Sequence, residues 1–84
     1  MKAVPFTPAA TRQWLKLSPN IRKRIDAKLT VYATNGSGDV RRLRGALGCR
    51  LRIGDWRVIF IEGPRSITVV AVGNRRFTIE RKAS

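Results

Sequence analysis

The sequence predicts an α+β fold: a helical hairpin packed on one face of an antiparallel β-sheet of three to four strands. Three observations carry that prediction. The first half of the chain holds two helix-start signals, Thr7-Pro8 and Ser18-Pro19. The second half changes to short runs rich in Ile, Val, Phe and Trp. Those runs are joined by turn sequences and not by long crossovers, so neighbouring strands must run antiparallel.

Residues 2–7 read as a short edge strand stopped by Pro8. From Pro8 to Leu17 the spacing predicts a helix, with Thr7 as N-cap and the proline in the first turn, where its missing N–H costs nothing. Ser18-Pro19 repeats the same signal and starts a second helix over about 19–34. Ile21, Ile25, Leu29 and Tyr32 recur there at spacings of four and three and form one apolar stripe. Asn35-Gly36-Ser37-Gly38 ends the helix. Val40 to Gly48 is expected to be a basic loop. Strands are expected over Cys49 to Ile53, Trp56 to Glu62 and Ser66 to Gly73, separated by turns at Gly54-Asp55 and Glu62-Gly63-Pro64-Arg65. The polar tail from Asn74 to Ser84 is expected to be partly disordered. Trp14, Tyr32 and Trp56 sit among aliphatic neighbours and are expected in the core, and Gly45 and Gly48 are expected to shape the loop.

Composition narrows the function. The chain has 84 residues, enough for one domain (1–84) and too few for two. Lys and Arg number 18 against 5 Asp and Glu, a net charge of +13. Such self-repulsion destabilises a compact state and calls for a polyanionic partner: RNA, DNA or an acidic protein. A membrane is not expected, because no apolar run approaches the length of a span. The N-terminus lacks a signal-peptide pattern, and the expected location is the cytoplasm. With no histidine and one cysteine, Cys49, there is no expected zinc site. The five scattered carboxylates suggest no calcium or magnesium cage. Neither a metal nor a small-molecule cofactor is expected, and Cys49, with no His or Lys immediately beside it, is not expected to act as a nucleophile.

The turn at Gly54-Asp55 predicts a register. If it is a two-residue hairpin, Ile53 faces Trp56, Arg52 faces Arg57, Leu51 faces Val58 and Arg50 faces Ile59. Alternation then places Arg50, Arg52 and Arg57 on one face, with Leu51, Ile53, Trp56 and Val58 on the other. Arg directly opposite Arg costs a sheet roughly 0.2–1 kcal/mol. No acid in these two strands up to Ile61 neutralises them. The cluster therefore reads as an anion site, since a guanidinium offers a planar fork of donors matched to phosphate oxygens.

The stretch Arg42-Leu43-Arg44-Gly45, followed by Cys49-Arg50-Leu51-Arg52-Ile53-Gly54-Asp55-Trp56-Arg57-Val58-Ile59-Phe60, is similar to the central signature of RelE/ParE-type toxins. Val70-Ala71-Val72-Gly73-Asn74-Arg75-Arg76 resembles that family's last strand and its basic end. The hairpin is the specific part of the match, and the helical half agrees in pattern only. The resemblance implies the toxin half of a type II toxin–antitoxin pair, with an acidic antitoxin as partner. It also implies, for RelE-like members, action with the ribosome on messenger RNA by metal-independent attack of a ribose 2′-oxygen on the adjacent phosphate. Carried over by position, Arg57 and Arg75 would stabilise the reacting phosphate. Arg50 and Arg52 would hold the RNA backbone, with Arg44 and Arg76 beside them. ParE-like members act on DNA gyrase instead, and a non-catalytic RNA-binding module is the third reading. Two departures stand out. Arg50 and Arg52 replace lysines of some relatives, and Arg cannot lose its proton to serve as a base. Phe77-Thr78-Ile79-Glu80 holds no tyrosine where many relatives have one. The general base is thus unassigned, with Asp55 and Glu80 the candidate carboxylate bases.

Overall fold

Both helices begin where a hydroxyl residue precedes a proline, as the start signals require. The computed structural model describes residues 1–43 and 48–74. Helix α1 spans Pro8–Leu15, and the Thr7 hydroxyl accepts a hydrogen bond from the Ala10 N–H at 3.2 Å. It ends two residues earlier than the sequence suggests. The N–H groups of Lys16 and Leu17 donate to the carbonyls of Gln13 and Trp14, three residues back, which tightens the last turn out of α geometry. Helix α2 spans Pro19–Asn35, with the Ser18 hydroxyl capping Ile21 N–H at 3.4 Å. Gly36 closes it in the left-handed region, φ 78°, and donates to the Tyr32 carbonyl at 2.9 Å. Ile25, Leu29 and Ala33 are the buried line of α2, with Ile21 and Tyr32 packed at its margins.

Four antiparallel strands follow in the order β1-β2-β3-β4: Val40–Arg42, Cys49–Ile53, Trp56–Glu62 and Ile67–Asn74. The first corrects the expectation of a loop from Val40 to Gly48. Three residues are too short for a pattern of alternation to show, and the strand exists because β2 offers an edge for it to pair with. Asn74, assigned by sequence to the tail, is the last residue of β4 and pairs with Trp56. Gly48 enters β2 at φ 126°, and a Cβ there would come within 3.0 Å of the Phe60 carbonyl oxygen. Glycine is required at that point for both reasons.

The register of the β2–β3 hairpin is the one expected: Ile53 opposite Trp56, Arg52 opposite Arg57, Leu51 opposite Val58 and Arg50 opposite Ile59. Gly54 takes the positive φ, 59°, that a tight hairpin turn needs at its first position. Between β3 and β4 the ladder slips by one residue, because Ile59 pairs with Ala71 and Phe60 with Val69. Val70 is the extra residue of this bulge, which keeps Val69 and Val72 both buried despite their odd spacing. The core lies between this face and the helices: Leu51, Ile53, Val58, Phe60, Ile67, Val69 and Val72 meet Ala10, Ile25, Leu29 and Ala33. Trp14, Tyr32 and Trp56 pack against it as partly buried residues.

The N-terminal segment is less than a strand. It runs parallel to β4 and touches it through two isolated bridges, Ala3 with Ser66 and Phe6 with Val69. Pro5, between the two bridges, has no N–H to give, so a continuous ladder cannot form. The Pro5 carbonyl nevertheless accepts from Val69 N–H at 2.8 Å, and farther along the Gln13 side chain accepts from Val72 N–H at 2.8 Å. Together they cover the outer edge of β4.

A polar tie joins this segment to the sheet and to α2. The Tyr32 hydroxyl donates to Glu62 Oε1 at 2.7 Å, and Lys2 Nζ donates to Glu62 Oε2 at 2.5 Å and to the Gly63 carbonyl at 2.9 Å. Hydrogen bonding from Lys2, and then from Tyr32, holds the Glu62 carboxyl below the usual carboxylate range. Burial first, and the bond to Glu62 second, push the Tyr32 phenol up to about 12. Glu62 therefore stabilises the fold above the ordinary range of a Glu carboxyl, and that contribution fades as pH falls through its lowered value. Tyr32 contributes below its ordinary value of 10 and loses that contribution between pH 10 and about 12. The Lys2 and Glu62 side chains are 30% and 32% exposed, so solvent screening limits the ion pair to about 1 kcal/mol or less. Melting temperature measured against pH is expected to fall on both the acid and the alkaline side. Glu62→Gln should flatten the acid limb, and Tyr32→Phe the alkaline one. Curves unchanged by both substitutions would remove this network from the stability of the protein.

Candidate nucleic-acid interface

The face of the sheet turned away from the helices carries the arginines. Register alone puts them there, because residues directly opposite in an antiparallel pair project from the same side. Arg52 and Arg57 face each other across β2 and β3, and Arg50 lies two residues from Arg52 on the same side. Arg52 and Arg57 sit in one row with Gly73 of β4, whose lack of a side chain leaves that end of the row low. Arg50 shares the next row with Ile59 and Ala71. Ile59 is only 3% exposed, yet it stands outside the core cluster, on the arginine face. Arg50 and Arg57 are half-buried, and Arg57 Nε is shielded from solvent, whereas Arg52 is exposed.

One member of the cluster escaped the sequence reading. Arg41 on β1 pairs with Arg50 and so joins the same face. A loop assignment for residues 40–48 hid it, and its only signal was the basic run Arg41-Arg42 ahead of a paired strand. Its neighbour Arg42 is opposite Cys49 and alternates to the other face. The Arg52 N–H donates to the Asp39 carbonyl at 3.0 Å, which extends the β1–β2 ladder beyond Val40.

The four arginines thus form two pairs, Arg41 with Arg50 and Arg52 with Arg57, and the extension of β1 adds one acidic residue at their margin, Asp39, opposite Arg52. Such an array can hold oxyanions and stabilise charge that develops on them. It cannot move protons, because a guanidinium stays protonated at any working pH. Asp55, one of the two carboxylates considered as a base, occupies the hairpin turn. The other, Glu80, lies outside the described residues, as do Arg44, Arg75 and Arg76 and the loop glycine Gly45. Cys49 is a half-buried free thiol packed against the core. Among the described residues no group of three or more His, Cys, Asp or Glu converges in a way that could hold a metal ion. No helix among them is long and apolar enough to cross a membrane.

Arg24 of α2 reaches this region from the other side. A Cβ on Gly54 would come within 3.0 Å of its guanidinium, so Arg24 lies against the hairpin turn. Arg24 is therefore no remote surface charge, although its helix position alone makes it look like one. Lys23 and Lys28, exposed on α2, are on the helical side of the sheet.

Known proteins place this fold. The structure is similar to a chain of the toxin–antitoxin complex RelBE2 of Mycobacterium tuberculosis, with a TM-score of 0.78, 22% identity, and coverage of 88% of this chain and 98% of that one. It is equally similar to the isolated RelE toxin of E. coli, with a TM-score of 0.78, 17% identity, and coverage of 99% and 94%. The RelB-RelE complex of Methanococcus jannaschii gives a TM-score of 0.71, 19% identity, and coverage of 86% and 91%. Among curated proteins none matches this sequence. Residues 4–78 match the family model of the ParE toxin of type II toxin–antitoxin systems, parDE. That match spans nearly the whole chain, and the fold agrees with it: the chain belongs to the RelE/ParE superfamily of type II toxin–antitoxin toxins.

Proposed function

We propose that this protein is a ribosome-dependent endoribonuclease toxin, restrained by an acidic antitoxin. The observation that carries the reading is the arginine pair Arg52–Arg57, held side by side by the hairpin register with Arg50 next to it. In the proposed reaction a ribose 2′-oxygen attacks the adjacent phosphorus and the bond from phosphorus to the 5′-oxygen breaks. The products are a 2′,3′-cyclic phosphate and a free 5′-hydroxyl. Negative charge grows on the non-bridging oxygens in the transition state. Guanidinium groups already in place stabilise it there more than in the ground state, which is the condition for catalysis. Arg57, half-buried and fixed within the sheet, is the group best suited to that task, together with Arg75. Arg50 and Arg52 hold the backbone, and Arg44 and Arg76, carried over from the family by position, are further RNA-binding residues of this reading. The proton leaving the 2′-hydroxyl and the one reaching the 5′-oxygen pass through groups other than these arginines.

The antitoxin follows from charge. At +13 this chain gains from any partner that neutralises the arginine face, and a segment that folds as it binds can cover a large surface. The solved relatives from Methanococcus jannaschii and Mycobacterium tuberculosis are toxin–antitoxin complexes, which supports such a partner.

The family model favours one second reading, inhibition of DNA gyrase, because its description is that of a ParE toxin. Two measurements on one preparation separate them. Toeprinting on programmed ribosomes is expected to show new messenger RNA ends when the toxin is added and none when the antitoxin is present. Gyrase supercoiling is expected to be unaffected. Intact messenger RNA together with blocked supercoiling would reverse the assignment.

A further inference from the structure

We propose that Arg41 and Arg50 form a second phosphate seat, one backbone step away from the Arg52–Arg57 pair, and that this seat binds RNA without taking part in cleavage. The inference rests on the ribonuclease reading and adds to it a residue and a division of labour.

The geometry comes from register. Arg41 and Arg50 are directly opposite across β1 and β2, and Arg52 and Arg57 across β2 and β3. Strand spacing puts the partners of each pair about 5 Å apart. Arg50 and Arg52 are two residues apart on one strand, so the two pairs are separated by about 7 Å along β2. That separation is comparable to the repeat of an extended polynucleotide backbone, which lets neighbouring phosphates occupy neighbouring pairs. Because the second pair is shifted by one strand, the track runs obliquely across the sheet, from the β1 edge towards Gly73 at the end of β4.

The two seats differ in surroundings, and that difference assigns their tasks. The Arg52–Arg57 seat contains the solvent-shielded Arg57 Nε and continues towards β4, where Arg75 follows in sequence. The Arg41–Arg50 seat lies at the sheet margin, with an exposed Arg41 on a three-residue strand. A phosphate there gains attraction in water and little more, which is binding that substrate and transition state feel equally. Such binding lowers the concentration needed for saturation and leaves the chemical step unchanged. It also adds one phosphate to the count that sets salt dependence.

The test uses the full chain and a short single-stranded RNA blocked with 2′-O-methyl groups, so that binding is read without cleavage. Fluorescence anisotropy is measured over a range of salt for the parent, Arg41→Ala, Arg41→Lys and Lys28→Ala. Arg41→Ala is expected to weaken binding several-fold and to reduce the slope of log affinity against log salt by about 0.7, the value for one phosphate of a single strand. Arg41→Lys should keep the slope while losing part of the affinity, and Lys28→Ala should match the parent. On programmed ribosomes Arg41→Ala should raise the half-saturating toxin concentration and leave the saturated rate unchanged. An unaltered slope in Arg41→Ala, or an equal loss in Lys28→Ala, overturns the second seat while the ribonuclease reading stands. Loss of antitoxin binding with RNA binding intact would assign Arg41 to the protein partner and overturn it too. If the parent binds no free RNA yet cleaves on programmed ribosomes, the seat falls and the ribonuclease reading stands; if it does neither, both fall.

Discussion

Arg57→Ala is expected to slow single-turnover cleavage on programmed ribosomes by about 10²–10³-fold, the loss typical of removing one preorganised donor from a developing oxyanion. Its effect on stability should be small. Removing the side chain relieves the repulsion with Arg52, worth roughly 0.2–1 kcal/mol, and forfeits the packing of a half-buried stem, a comparable term of opposite sign. Arg57→Lys should also be impaired, because an ammonium keeps the charge and loses the two-pronged fork. Lys23→Ala and Lys28→Ala remove the same charge from the helical side and should affect cleavage only modestly, mainly at low salt. Arg24→Ala is not an equivalent control, because that guanidinium rests against Gly54 in the hairpin turn. If the lysine variants lose as much activity as Arg57→Ala, the hairpin is one part of a diffuse basic surface and Arg57 has no special place.

Phe60→Ala should be the most damaging framework substitution. Phe60 is 0% exposed, pairs with Cys49 and Val69, and sets its ring against Tyr32 at 5.3 Å between centroids. Deleting such a ring leaves a cavity as well as losing its transfer from water, about 3–5 kcal/mol in all. Chains of this size bury only about 60% of their unfolded surface and are marginally stable, so that loss approaches the whole. Leu29→Ala, at about 2–5 kcal/mol, should rank next and Val58→Ala below it. Urea midpoints, compared at constant slope, give the order directly. A midpoint for Phe60→Ala close to the parent's would place the core elsewhere.

Much of the fold is legible in the sequence because its signals are local. Thr7-Pro8 and Ser18-Pro19 start helices through bonds reaching three residues along the chain, and Gly36 ends one through the residue itself. The two-residue turn at Gly54 sets a register that carries through five residue pairs, so the opposition of Arg52 and Arg57 follows from the turn sequence alone. The elements misread lack such signals. β1 has three residues and is a strand only because β2 lies beside it. The N-terminal segment looks like a strand, yet Pro5 restricts it to isolated bridges along the β4 side of the sheet.

The sequence by itself determined the fold class, the hairpin register and the three-arginine face, since each follows from turn chemistry and a period of two. Only the tertiary structure decided that Arg41 joins Arg50, that Arg24 leans on the hairpin turn, and that Glu62 gathers Lys2 and Tyr32. Those contacts join residues far apart in the chain or separated by a loop, and no local rule places their partners. They form because packing the helices on one face of the sheet brings distant side chains within reach of one another. The same packing leaves the opposite face of the sheet to the arginines.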